Sequence, residues 1–315
     1  MRRTLQLGLS ALSVSVLLLA TAGTSSAQAA GAHAMGVKGA HGAHHRGSTL
    51  LSSHGGAIET TPVVFIVYWG AQWATGFSTG GYSSAQAQNY VQSFFANVGG
   101  SSWSNSTTQY CENVASGTTN CAGVGGAINV TNPRGQLGGS WNDTSALPNK
   151  LGTSSIAGEA LRAAAHFGYN ANADYMVFTP SGHSTSGFGT QFCAWHSSTS
   201  SASGQVSFSN MPYQPDAGAS CGMDFVNISN NSFGNGYFDG FSIVGGHEYA
   251  ETITDPFPST GWLDGSGAEN GDKCAWIGSG QGAAANISLG GNSFAVQSLW
   301  SNAFNSGTGG CVLSY

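Results

Sequence analysis

Charge is what this chain has least of: 7% of its 315 residues are Asp, Glu, Lys or Arg. Bases are scarcest. From Ile58 to the end there are four, Arg134, Lys150, Arg162 and Lys273, against fourteen acids. A surface so poor in cations does not bind nucleic acid or an anionic membrane through charge. No apolar run reaches the ~20 residues of a membrane-spanning helix, so no membrane partner is expected. The six cysteines include no Cys-x-x-Cys pair, which argues against a thiolate metal cluster.

What is present first concerns compartment. Arg2 and Arg3 precede a largely apolar run from Leu7 to Ala22, and Ala27-Gln28-Ala29 is a small-x-small cleavage site. Residues 1–29 read as a secretory signal peptide, giving a secreted, extracellular protein whose mature chain begins at Ala30. In that setting six cysteines imply three disulfides. Order and spacing favour Cys111–Cys121, Cys193–Cys221 and Cys274–Cys311, although sequence alone leaves other connectivities open. Residues 30–56 are rich in Gly, Ala and His and lack the apolar content to fold by themselves, as a disordered leader or a propeptide would. Residues 57–315 read as a single α+β domain stapled by disulfides.

Within that domain, Val63–Trp69 and Asp174–Pro180 are continuous apolar runs expected to be buried strands. Ser84–Val98 carries Val91, Phe94, Phe95 and Val98 on one helical face, with Ser84 as its expected cap. Ser154–His166 is a second expected helix. Ser181–Ser198 reads as a loop and Gly204–Tyr213 as an alternating strand. A third helix is expected from Asp239 to Thr254, where Pro256 prevents extension. The whole is a mixed sheet with three main helices, compatible with a zincin-like layout.

The acids are not spread evenly. Seven of the fourteen fall in the 34 residues from Asp239 to Asp272, with Lys273 the only neighbouring base. Crowded carboxylates repel unless a cation or protons relieve them. The same segment contains His247-Glu248-Tyr249-Ala250-Glu251, the helix motif of zinc peptidases with its second histidine replaced by glutamate. Positions i and i+4 share a helical face, so His247 and Glu251 can chelate one metal while Glu248 acts as general base. A catalytic zinc needs a third protein ligand. Glu269 and Asp272 lie 18 and 21 residues beyond Glu251 and supply one, with Cys274 clamping that return. Asp255, Asp264, His183 and His196 are candidates to line the site. Zinc is the expected cofactor, and calcium or manganese would suit so carboxylate-rich a set better than an ordinary zincin site. The expected function is that of a metal-dependent hydrolase, foremost a zinc endopeptidase (a metalloprotease) acting on protein or peptide. A carboxylate pair acting on polysaccharide is the rival chemistry, with Trp262 and Trp276 as sugar-stacking candidates.

Several stretches also resemble the EXORDIUM-like, or phosphate-induced, family of secreted proteins. They are His54-Gly55-Gly56, the Pro62–Gly70 strand, the Ser83–Val98 helix, Asp174–Gly182, the Phe192-Cys193…His196 segment and the late Val296–Asn302. The likeness spans about His54 to Cys311. It implies an extracellular protein of shared fold; plant members are associated with the cell wall and growth and have no established catalytic activity. On that reading the protein is non-enzymatic, binds wall polysaccharide or a partner, and holds a structural calcium or no metal. The chain departs from the plant pattern at Val244–Pro256, which there is small and apolar and here carries His247, Glu248, Glu251 and Asp255.

Overall fold

Apolar runs that alternate between two faces build the centre of the molecule. The computed structural model describes residues 31–39 and 50–315, so the expected signal peptide lies outside the described residues. Its main strands are β1 (His33–Gly36), β2 (Val63–Trp69), β3 (Leu137–Asp143), β4 (Ala173–Phe178), β5 (Phe192–Ser201) and β6 (Gly204–Met211). They form a mixed sheet in the order β1-β5-β6-β4-β2-β3. Strands β6, β4, β2 and β3 run parallel, β5 is antiparallel to β6, and β1 is antiparallel to β5.

The main helices are α1 (Ser84–Val98), α2 (Thr153–Phe167) and α3 (Asp239–Thr254). Because side chains alternate along a strand, Val64, Ile66, Tyr68, Met176, Phe178 and Ala194 join the core shared with α1 and α3. Val67, Trp69, Tyr175, Val177, Trp195 and Phe208 join the one packed on α2. The cap of α1 is one residue before the expected Ser84: Ser83 accepts from the Gln86 N–H at 3.3 Å, and the Gln86 side chain accepts from the Ser83 N–H at 3.0 Å, a capping box.

Every residue of α3 is buried. One face lies on β5 and β6, and another meets a hairpin of β7 (Ala285–Leu289) and β8 (Asn292–Val296). A glycine inside a helix costs about 1 kcal/mol relative to alanine. Gly246 is there for closeness, since a Cβ would lie 3.1 Å from Trp103 Cη2 and 3.3 Å from Phe94 Cζ.

Three sequence expectations are corrected. The segment expected as a loop ends in β5, a ten-residue strand from Phe192, enclosed between β1 and β6. Its Ser/Thr content hides a strand whose ladder is satisfied on both sides. Strand β6 is not half-exposed: Val206–Met211 is buried throughout, because it is central and covered on both faces. Part of the expected leader is ordered. Met35 is fully buried, the Trp276 Nε1–H donates to the Gly36 carbonyl at 2.7 Å, and the Lys38 N–H donates to the Ser220 carbonyl at 2.9 Å. One buried methionine and a borrowed strand ladder hold what its own composition does not.

The three disulfides pair as order and spacing suggest: Cys111–Cys121, Cys193–Cys221 and Cys274–Cys311. They fit an oxidising compartment. Among the described residues no helix is long and apolar enough to cross a membrane. Cys274–Cys311 ties the acidic return after α3 to the Gly310–Val312 strand. Replacing both of its cysteines by alanine should cost about 2–5 kcal/mol, measured by urea unfolding; an unchanged midpoint would show that the return is held without it.

Candidate metal centre

A buried helix that carries His247, Glu248 and Glu251 must place them against something. His247 and Glu251, one turn apart, bring Nε2 and Oε1 to 3.0 Å. Residues 261–276 then return across the end of the helix. Gly271 permits the approach, since a Cβ there would sit 2.7 Å from His247 Nδ1 and 2.9 Å from Glu251 Oε1. The Asp272 N–H donates to Glu251 Oε1 at 2.8 Å, and Asp272 Oδ1 stands 3.7 Å from His247 Nε2.

Gln297, which sequence reasoning missed, sets the histidine. Its Nε2 donates to the Gly271 carbonyl at 2.8 Å and the Ser298 carbonyl at 3.2 Å. Its Oε1 therefore faces His247 Nδ1, 3.2 Å away, and accepts its proton. That fixes the tautomer and turns Nε2 toward the carboxylates. No local pattern marks a glutamine 50 residues downstream.

The opposite wall comes from the sheet. His196, on the α3 side of β5, donates from Nδ1 to Glu248 Oε2 at 3.3 Å. Its Nε2 is 3.6 Å from Glu269 Oε1. His33, across the β1–β5 ladder from His196, brings Nδ1 to 2.6 Å from Glu269 Oε2. Of the three carboxylates of the return, Asp272 pairs with His247, Glu269 with His196 and His33, and Asp264 with Lys273. Beneath them lies Asp174 of β4, which accepts from Ser209 Oγ at 2.8 Å. An acid inside an otherwise apolar strand run was the signal available for it.

Other candidates stand elsewhere. His183 is in the turn after β4, with Nδ1 3.1 Å from the Ser181 carbonyl oxygen and Nε2 3.4 Å from Gln72 Nε2. Asp264 holds the return closed, accepting from Lys273 Nζ and Ser266 Oγ, each at 2.6 Å. Asp255 accepts from the N–H groups of Ser259, Thr260 and Gly261 at 2.6, 3.0 and 2.6 Å, yet remains close enough to group with His196 and Glu269. Trp262 and Trp276 are buried, which removes the sugar-stacking platform. Gly218-Ala219-Ser220-Cys221-Gly222 has the letters of a serine nucleophile elbow. Ser220 Oγ is turned onto the Ala217 and Gly189 carbonyls at 2.7 and 3.0 Å, beside a disulfide and within a 3₁₀ turn, so the elbow geometry is absent.

His196, His247, Glu248, Glu251 and Glu269 have no exposed surface. His247 Nε2, His196 Nε2, Glu248 Oε1, Glu251 Oε2 and both oxygens of Glu269 have no hydrogen-bond partner among the described residues. Buried polar atoms ordinarily find one. These converge at ion-pair distances without aligning on each other, as donors sharing a cation do. A cleft of about 610 Å³, lined by residues such as Gln109, Asn120 and Val124, contains none of the cluster residues. Compared with protein-family models, curated proteins and solved structures, the chain matches none.

The cluster holds its protons tightly. Burial and the Glu251 charge push Asp272 up to about 7, and burial with Glu251 and Asp255 raises Glu269 well above the usual carboxylate range. Burial alone would lower the imidazoles, but Glu251 pushes His247 up to about 10 and Glu248 pushes His196 up to about 9. Glu251 moves the other way: burial would raise it, and the His247 charge lowers it on balance. A raised value means the folded state binds protons the unfolded chain has released. The stability from Asp272 is complete below its ordinary 3.8 and lost as pH rises through about 7. That from the histidines is complete below 6.5 and lost through about 9 and 10. Glu251 and His33, the latter lowered by burial and the His196 charge, work in the opposite sense. With chelator present, the melting temperature should therefore fall as pH is raised from about 4 to about 9. A rise over that range would contradict this electrostatic description.

Proposed function

We propose that this is a secreted, metal-dependent hydrolase acting on peptide bonds, with zinc the first choice of metal. His247, Glu251 and Asp272 would hold the cation, and Glu248 would be the general base. The observation that carries the reading is the set His247, Glu251 and Asp272, each offering one ligand atom within 4.8 Å of the others, with Glu248 on the same helix. One imidazole with two carboxylates is a donor set that zinc accepts and manganese or calcium tolerates. Bound there, a divalent cation supplies Lewis acidity to a water and a carbonyl. The chain's part is to orient and to move protons. Gln297 holds the His247 tautomer, Glu248 Oε2 accepts a hydrogen bond from the His196 Nδ1–H, and Glu248 Oε1 is left to accept a proton from water and return it to the leaving amine.

An antiparallel strand at the edge of a mixed sheet, with a helix beneath it, supports a zincin-like layout as an analogy of architecture. In that layout β1 lies where an extended substrate would add to β5. The rival, an EXORDIUM-like extracellular protein with structural calcium or no metal, is favoured by one observation: no exposed surface remains on His247, Glu248 or Glu251. A hydrolase would have to move β1, so residues 30–56 enter this reading as a propeptide.

Three variants separate these readings. Glu248→Gln should keep the metal and lose roughly 10²–10⁴-fold in peptide hydrolysis, while Glu251→Gln and His247→Ala should lose the metal itself. Bound metal and hydrolysis of casein are measured on each. Metal retained by all three would make the helix structural. A wild type that binds metal and, with residues 31–39 removed, still cleaves nothing would leave the non-enzymatic reading.

A further inference from the structure

The proposed centre uses His247, Glu251 and Asp272, and it leaves a second triple untouched. His196, Asp255 and Glu269 also bring one nitrogen and two carboxylate oxygens within 4.8 Å of one another, and all three are buried. The two triples share no residue. We propose that the cluster binds two divalent cations, the second held by His196 Nε2, Glu269 and Asp255; this rests on the metal centre proposed above.

Three observations support it. His196 Nε2 and both oxygens of Glu269 are buried without a hydrogen-bond partner among the described residues, and Nε2 faces Glu269 Oε1 at 3.6 Å. The second triple has its own orienting groups. Glu248 Oε2 accepts the Nδ1 proton of His196 at 3.3 Å, which frees Nε2 as a ligand. The backbone N–H groups of Ser259, Thr260 and Gly261 fix the Asp255 carboxylate. The third observation is charge. Glu248, Glu251, Asp255, Glu269 and Asp272 are five carboxylates, and among the described residues their ion pairs are with histidines alone. Lys273, the nearby base, pairs with Asp264 at 2.6 Å. One divalent cation with neutral imidazoles leaves three negative charges in a dry interior. Two cations neutralise the four ligand carboxylates and leave a single charge, on the residue proposed as the base. An oxygen-rich set of one imidazole and two carboxylates fits zinc or manganese at both positions.

The full exported chain, stripped with chelator and dialysed against Zn²⁺, should carry two zinc ions by elemental analysis. Glu269→Gln, which keeps volume and fold, should carry one and retain the His247 position. His196→Ala should behave alike, and should it fail to fold, Glu269→Gln decides. Reconstitution with Mn²⁺ gives a second readout, a spin-coupled resonance in the wild type and an isolated six-line spectrum in Glu269→Gln. One ion in the wild type, unchanged in Glu269→Gln and lost in Glu251→Gln, overturns the second site while the first stands. No bound ion in the wild type overturns both.

Discussion

Four buried carboxylates and a part-exposed fifth, Asp272, gathered with three imidazoles around one buried helix, are the constraint on which this end of the molecule depends. An ionised carboxylate moved into a protein interior costs several kcal/mol even after relaxation, and neighbouring anions add to that. Among the described residues the ion pairs of these carboxylates are with histidines alone. The aromatic packing that buries α3 therefore also imposes the need for positive charge. Protons or divalent cations are the two ways to meet it. Protons would join imidazole nitrogens to carboxylate oxygens one pair at a time, and a cation would gather several of those atoms at once.

The rest of the architecture holds the donors at coordinating separation. Gly271 lets the return touch His247, Gln297 ties that return to the ring it faces, and Cys274–Cys311 anchors the return's far end. Asp264 and Lys273 close it into a compact turn. Two elements remote in sequence, β1 and β5, then bring His33 and His196 face to face across an antiparallel ladder. The acids supply the donor atoms, but their convergence is a property of the sheet and the disulfide.

Local signals were enough for His247, Glu248, Glu251 and the crowding of acids, because helical spacing and composition are local. They were also enough for β2, β4 and the three main helices, whose apolar runs have clear periods. Which return carboxylate meets His247 depends on a turn built by Asp264, Lys273 and a glycine, so spacing alone left Glu269 and Asp272 equivalent. His33 lies in a composition-biased stretch with no local signal, and only pairing with β5 makes it part of the cluster. Gln297 and Asp174 act through neighbours fixed by tertiary packing. His196 sits in a sequence of loop composition, because Ser and Thr in a doubly paired strand resemble a loop.

The most direct measurement is anomalous diffraction at the zinc edge from crystals of the protein grown with zinc. The account predicts a peak about 2.0–2.2 Å from His247 Nε2, Glu251 Oε1 and Asp272 Oδ1. Density in which these side chains pair through shared protons, with zinc bound only at surface histidines, would contradict it.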